Sequence, residues 1–199
     1  MNEIRPVSRH RATTQAAEGL PRLAWTVEEF DSLAEHGFLT EDDRIELIGG
    51  ELVPMSPKGN RHEVVRGDLA LWFSRNVSLN TKVYVEPGWR ADLTNYLEPD
   101  ILIFPDSLGL GELPGSEVLL VVEVAHSSLA YDTGHKAKTY ARLGVREYWV
   151  VNAKTLETIV HLEPGAEGYG KVSTFGPSKT LAPLALPDLT VSLGALKIG

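Results

Sequence analysis

The stretch Val118-Leu119-Leu120-Val121-Val122-Glu123-Val124-Ala125-His126-Ser127-Ser128 decides how this chain folds. Residues 117–125 read as one strand. The near-continuous apolar run is that of a strand buried on both faces, which implies an α/β architecture with helices covering a sheet. Glu123 interrupts the run. A carboxylate there must be desolvated, at a cost on the order of several kcal/mol unless a cation or hydrogen-bond donors compensate it. The identity of that partner is the functional question.

Working outward, Asp132 reads as the N-cap of a helix over 133–143 that Gly144 ends, and Arg146–Val151 as the next strand. Upstream, 82–86, 88–92 and 99–104 have strand character, with Pro99 at an allowed first position. Val64, Val65, Leu69, Leu71, Trp72 and Val77 recur at helical spacing over 60–78. Gly49-Gly50 between two apolar runs signals a β-hairpin, and Thr26-Val27-Glu28-Glu29 is a capping box opening a helix over 27–36 that stops at Gly37. A further hairpin is expected from 156–162 and 171–175, then irregular packing over 177–187. Residues 1–23 are polar and aperiodic and read as a flexible N-terminal arm, with residues 24–199 as a single domain. The expected fold is α/β, a mixed β-sheet flanked by helices with an N-terminal helix and hairpin.

Composition narrows the function. The 199 residues are 43% apolar and 23% charged with a net charge of -8, ordinary for a globular protein and wrong for one that coats nucleic acid by charge alone. The arm is the locally basic part, with four arginines against two glutamates. Cysteine is absent, so disulfides and thiolate metal sites are excluded. No apolar run is long enough for a membrane span and no secretory leader is evident, so a cytoplasmic location without membrane contact is expected. The six histidines lack zinc-protease spacing, there is no G-x-S-x-G, and Gly109-Leu110-Gly111 does not extend into a dinucleotide fingerprint.

The polar residues that remain converge. If the strands of Asp100 and Glu123 run antiparallel as neighbours, the start of one lies beside the end of the other. Two carboxylates there repel unless a cation intervenes, and oxygen ligands select a hard ion, Mg²⁺ or Mn²⁺. Lys136, placed in the first turn of the following helix, reaches the same sheet end. Glu46 in the first hairpin and His62 at the start of the long helix are supporting candidates. Each residue also has a structural reading. Asp100 serves as a turn residue, Glu123 as half of a buried ion pair, and Lys136 as a solvated lysine. Glu46 serves as a hairpin salt bridge, His62 as a rim residue, Asp132 as a cap, and Tyr140 and Trp149 as core.

Glu98-Pro99-Asp100, Val121-Val122-Glu123-Val124, Asp132 with Lys136 and Tyr140, and Gly144-Val145-Arg146-Glu147-Tyr148-Trp149-Val150-Val151 together resemble the Uma-type restriction endonuclease family. The leader Ile45–Pro57 and His62 are similar to that family as well. The resemblance spans roughly residues 25–165 and implies a restriction-endonuclease-like fold of the PD-(D/E)xK nuclease superfamily. It implies that Asp100 and Glu123 are metal ligands, with the Val124 carbonyl, and that Lys136 is the catalytic lysine. Ala125 stands where the superfamily lysine usually lies, two residues after the acid, and Ala-His-Ser-Ser stands where many relatives read Ser-Pro-Ser. The activity implied is Mg²⁺-dependent hydrolysis of DNA phosphodiester bonds by an activated water. The competing readings are a non-catalytic nucleic-acid- or protein-binding module that keeps the fold, and a hydrolase of another phosphoester. A homodimer is expected by analogy, with 146–151 and the C-terminal apolar residues as candidate interface.

Overall fold

The computed structural model describes residues 13–15, 19, 21–40 and 42–198. Most of the expected arm, including residues 1–12 and 16–18, lies outside them; its described parts, β1 (Thr13–Gln15) and β2 (Pro21–Leu23), pair antiparallel.

Helix α1 (Val27–Glu35) starts at the expected capping box: Thr26 Oγ1 accepts from the Glu29 amide and Glu29 Oε2 from the Thr26 amide. Strands β3 (Ile45–Ile48) and β4 (Glu51–Pro54) close around Gly49 and Gly50, both with positive φ. A side chain at Gly50 would meet Ala24 Cβ at 2.6 Å, so the turn needs glycine there on two counts. Helix α2 (Asn60–Asn76) follows, then β5 (Thr81–Val85), β6 (Trp89–Asp92), β7 (Asn95–Leu97), β8 (Ile101–Pro105) and β9 (Leu120–Ala125). The chain then crosses through a helix in three pieces: α3 (Leu129–Tyr131), a π-helical turn (Asp132–Lys136) and α4 (Ala137–Arg142). Strands β10 (Glu147–Asn152), β11 (Thr158–Gly165) and β12 (Gly168–Phe175) complete the order.

Six strands form the central sheet in the order β12-β11-β10-β9-β8-β5. Only β9 and β10 pair in parallel, and their connection is the three-piece helix, as a parallel pair requires. The sheet is therefore mixed, as expected. A second sheet, β4-β3-β7-β6, was not anticipated. Its missed strand β7 has three residues, too few to show a period. That hairpin and β6 belong together rather than to the central sheet.

Alternation along β9 sorts the core. Leu120, Val122 and Val124 face a cluster with Val65, Leu69 and Phe73 of α2 and Trp149. Val121 and Ala125 face the opposite cluster, with Ala137 and Tyr140 of α4, and Trp89 and Leu97 of the second sheet. With a period of two, Glu123 falls on the face of Val121 and Ala125 and points toward the crossover helix.

Two expectations need correction. Asp132 is not the N-cap of the helix: the helix begins three residues earlier, and the Asp132 amide already donates to the Ser128 carbonyl at 2.9 Å. Lys136 accordingly lies beyond the first turn, so opposition to the helix dipole does not apply to it. The segment 146–151 is not a surface for a partner, because Tyr148, Trp149, Val150 and Val151 lie in the interior of a central strand.

Candidate active site

Strands β8 and β9 pair antiparallel with Ile101 opposite Val122, so one step outward brings Asp100 beside Glu123. The Val124 amide donates to Asp100 Oδ2 at 2.8 Å and fixes that carboxylate at the sheet end. Glu123 turns its Oε1 to the crossover helix, where Lys136 Nζ and the Tyr140 hydroxyl both donate to it at 2.8 Å. Lys136 also meets Glu46 Oε1 at 3.0 Å, and Glu46 accepts from the Glu98 amide. His62, in the first turn of α2, sets Nε2 at 3.1 Å from Asp100 Oδ2, and Lys58 Nζ lies 3.3 Å from Oδ1. Glu46, His62, Asp100, Glu123 and Lys136 thus line one cavity of about 420 Å³. All five are buried.

The electrostatics are lopsided. Carboxylates of Glu46, Glu98, Asp100, Glu123 and Asp132 line the cavity against the ammonium groups of Lys58 and Lys136. Burial, with Asp100, Asp132 and Glu46 adding repulsion that Lys136 only partly offsets, pushes Glu123 up to about 8. Asp100 goes the other way. Burial would raise it, but the His62 hydrogen bond, Lys58 and the Val124 amide outweigh that and hold it at about 2. Burial opposes the Lys136 charge, yet Glu123 and Glu46 outweigh it and keep this lysine well above its ordinary range. Lys136 meets two carboxylates, whereas Glu123 faces three others, of Asp100, Asp132 and Glu46. Asp132 is raised by burial, softened by the Ser128 hydroxyl at 2.6 Å.

This donor set fits a hard cation. Among the described residues no three His, Cys, Asp or Glu side chains form a closed ligand group. Mg²⁺ does not need one, because it keeps several waters and takes one or two carboxylates. Both contacts on Glu123 fall on Oε1, leaving Oε2 without a hydrogen bond among the described residues, and Asp100 Oδ1 has a single long lysine contact.

The family model of Uma2, described as a putative restriction endonuclease, matches residues 27–194. The chain belongs to the Uma2 family. The crystal structure of a putative nuclease belonging to DUF820 from Anabaena variabilis ATCC 29413 is similar in fold. Its TM-score is 0.64 at 14% identity, covering 85% of this chain and 95% of that one. No curated protein matches the chain. No helix among the described residues is long and apolar enough to cross a membrane.

In this Uma2 chain the sequence reading missed Lys58 and Tyr131, which both line the cavity, and gave Tyr140 only to the core. Tyr140 was within reach of the sequence: Asp132, Lys136 and Tyr140 recur every four residues, which puts them on one helix face. Lys58 carries no such signal, because it lies in an aperiodic loop before α2. The π-helical turn at Asp132–Lys136 was also invisible. Its Asp132 carbonyl accepts from the Ala137 amide and from the Tyr148 hydroxyl, the latter at 3.0 Å. Such turns are rare and concentrate at functional sites.

Proposed function

We propose that this protein is a divalent-metal-dependent DNA endonuclease in which Asp100 and Glu123 hold Mg²⁺, or Mn²⁺ in its place. The observation that carries the reading is the meeting of two buried carboxylates, Asp100 and Glu123, at one sheet end and on one cavity, beside a buried lysine. The bound ion would lower the pKa of water at neutral pH and offset phosphate charge. Asp100, ionised throughout the physiological range, supplies a permanent anionic ligand fixed by Val124 and His62. Glu123 accepts or releases a proton near pH 8, so its ligand strength is set by pH and by the cation. Tyr140 and Lys136 anchor its Oε1 and so leave Oε2 for the cavity. The Lys136 ammonium, held charged in a low-dielectric setting, is positioned to stabilise negative charge that develops on the phosphoryl oxygens. Cutting both strands of a duplex in a single encounter by this route would use two such cavities, hence a second copy of the chain.

The test combines calorimetric Mn²⁺ titration with cleavage of a supercoiled plasmid by wild type, Asp100→Ala and Glu123→Ala. Both variants are expected to stay folded and lose cleavage. Unchanged cleavage in both would sink the assignment, and absence of Mn²⁺ binding by wild type would favour a non-catalytic module.

A further inference from the structure

Beside the acidic cavity lies a second charged cluster that this mechanism does not use. Glu86, between β5 and β6, forms ion pairs with three cations at once: Arg44 at 3.3 Å, Lys58 and Arg66. They come from three parts of the chain: the residue before β3, the loop before α2, and α2 itself. Glu86 itself has a φ of +47°, a left-handed conformation that residues with side chains adopt at an energetic cost. Arg66 is largely buried, also pairs with Glu63, and has an Nε with no hydrogen-bond partner among the described residues. Lys58 joins the cluster to the cavity, since it contacts Asp100 Oδ1 as well. Helix α2 starts at the same rim with Gly59 as N-cap and no side-chain cap, so its first-turn amides and positive dipole end add to the field.

In a chain of net charge -8, three cations gathered on one carboxylate describe an anion site filled by the protein's own side chain. A phosphodiester matches that carboxylate in kind: two free oxygens and one negative charge. Two guanidinium groups and an ammonium suit it better than they suit a single glutamate, because the arginine fork binds phosphate through two parallel hydrogen bonds. We propose that Arg44, Lys58 and Arg66 form a docking subsite for a nucleic-acid backbone phosphate flanking the bond held at Asp100 and Glu123. In the free protein Glu86 keeps that subsite filled. The proposal rests on the nuclease reading for its geometry, not for its test.

The test is binding of a fluorescent 20-bp DNA duplex, by anisotropy without divalent metal, across a salt series. Glu86→Gln is expected to bind several-fold more tightly, with a steeper salt dependence, because the cations are released for phosphate. Arg44→Gln and Arg66→Gln are each expected to weaken binding and to make the log–log salt slope shallower by about one. Equal or weaker binding by a folded Glu86→Gln, or slopes unchanged in both arginine variants, overturns the proposal, as does absence of duplex binding by wild type. If Glu86→Gln fails to fold, the arginine variants decide, and Arg44 is exposed enough to be replaced safely. Cleavage is scored separately with Mn²⁺. Slopes that respond in a protein that never cleaves leave the subsite standing and remove the nuclease reading. Cleavage by wild type with unresponsive slopes does the reverse.

Discussion

Lys136 Nζ lies 2.8 Å from Glu123 Oε1 although the two residues are thirteen positions apart, on different elements of the crossover. The lysine answers the question raised by a carboxylate inside an apolar strand, but only in part. Glu46 shares the same ammonium at 3.0 Å, and Asp100 and Asp132 add charge that no single lysine can balance. The residual imbalance governs how the protein responds to pH, to metal and to mutation.

The first consequence concerns stability without metal. Glu123 is raised from 4.5 to about 8 in the native state, so between those values the native protein binds a proton there that the unfolded chain has released. Stability therefore falls as pH rises through that window and levels off above it. Glu123→Gln keeps the shape and removes the titration. It is expected to stabilise the metal-free protein at pH 9 by on the order of 1–2 kcal/mol and to flatten the pH dependence over this window. Urea denaturation at pH 5, 7 and 9 measures it. A wild-type protein whose stability rises across the window contradicts the assignment.

Metal binding should show the same proton. An ion that takes Glu123 as ligand must displace it below about pH 8. Mn²⁺ affinity is expected to rise about tenfold per pH unit from pH 6 to 8 and then to plateau, with about one proton released per ion below the plateau. Calorimetry in two buffers of different ionisation enthalpy reads the proton count directly. Binding that is independent of pH would place the ion elsewhere than on Glu123.

How much of this was legible follows from period and length. Strand β9 and the hairpin at Gly49-Gly50 were readable because alternation, apolar runs and paired glycines are local signals. The meeting of Asp100 with Glu123 was readable too, since antiparallel neighbours place a strand start beside a strand end. The second sheet was not, because the β7 pairing is three residues long. The three-piece helix was misread because Asp132 imitates an N-cap, while the true start at Leu129 follows Ser128 without a side-chain cap. The Glu86 cluster was out of reach altogether: its members lie up to 42 positions apart and share no pattern. Their proximity is a product of the fold alone.

Removing the ammonium should be costly. Lys136→Met leaves Glu46 and Glu123 buried and without their shared cation, a loss on the order of 3–5 kcal/mol for a broken buried pair. The cost should be largest above pH 8 and smaller at pH 5, where Glu123 takes a proton. Adding Glu123→Gln to Lys136→Met should recover part of it, and a double-mutant cycle gives the coupling. Cleavage by the single variant is expected to fall a hundredfold or more, as for loss of one electrostatic donor. Additive stability effects would mean that the two groups do not interact.

Tyr140 offers the most selective probe of the site. Its ring packs in the core against Trp89 and Tyr148, and burial and the nearby Glu123 hold its phenol neutral, well above the ordinary range. Tyr140→Phe keeps the packing and removes one donor from Glu123 Oε1, at about 1.5–3 kcal/mol where that acceptor is ionised, above about pH 8 or with metal bound. With that oxygen held by Lys136 alone, the carboxylate is less firmly oriented toward the cavity. Mn²⁺ affinity is expected to drop roughly 10- to 100-fold, the usual effect of losing a group that orients a metal ligand. The drop should exceed any change in duplex binding without metal. Equal loss in both measurements would show general damage to the fold, whereas loss confined to Mn²⁺ binding would tie Tyr140 to the orientation of Glu123.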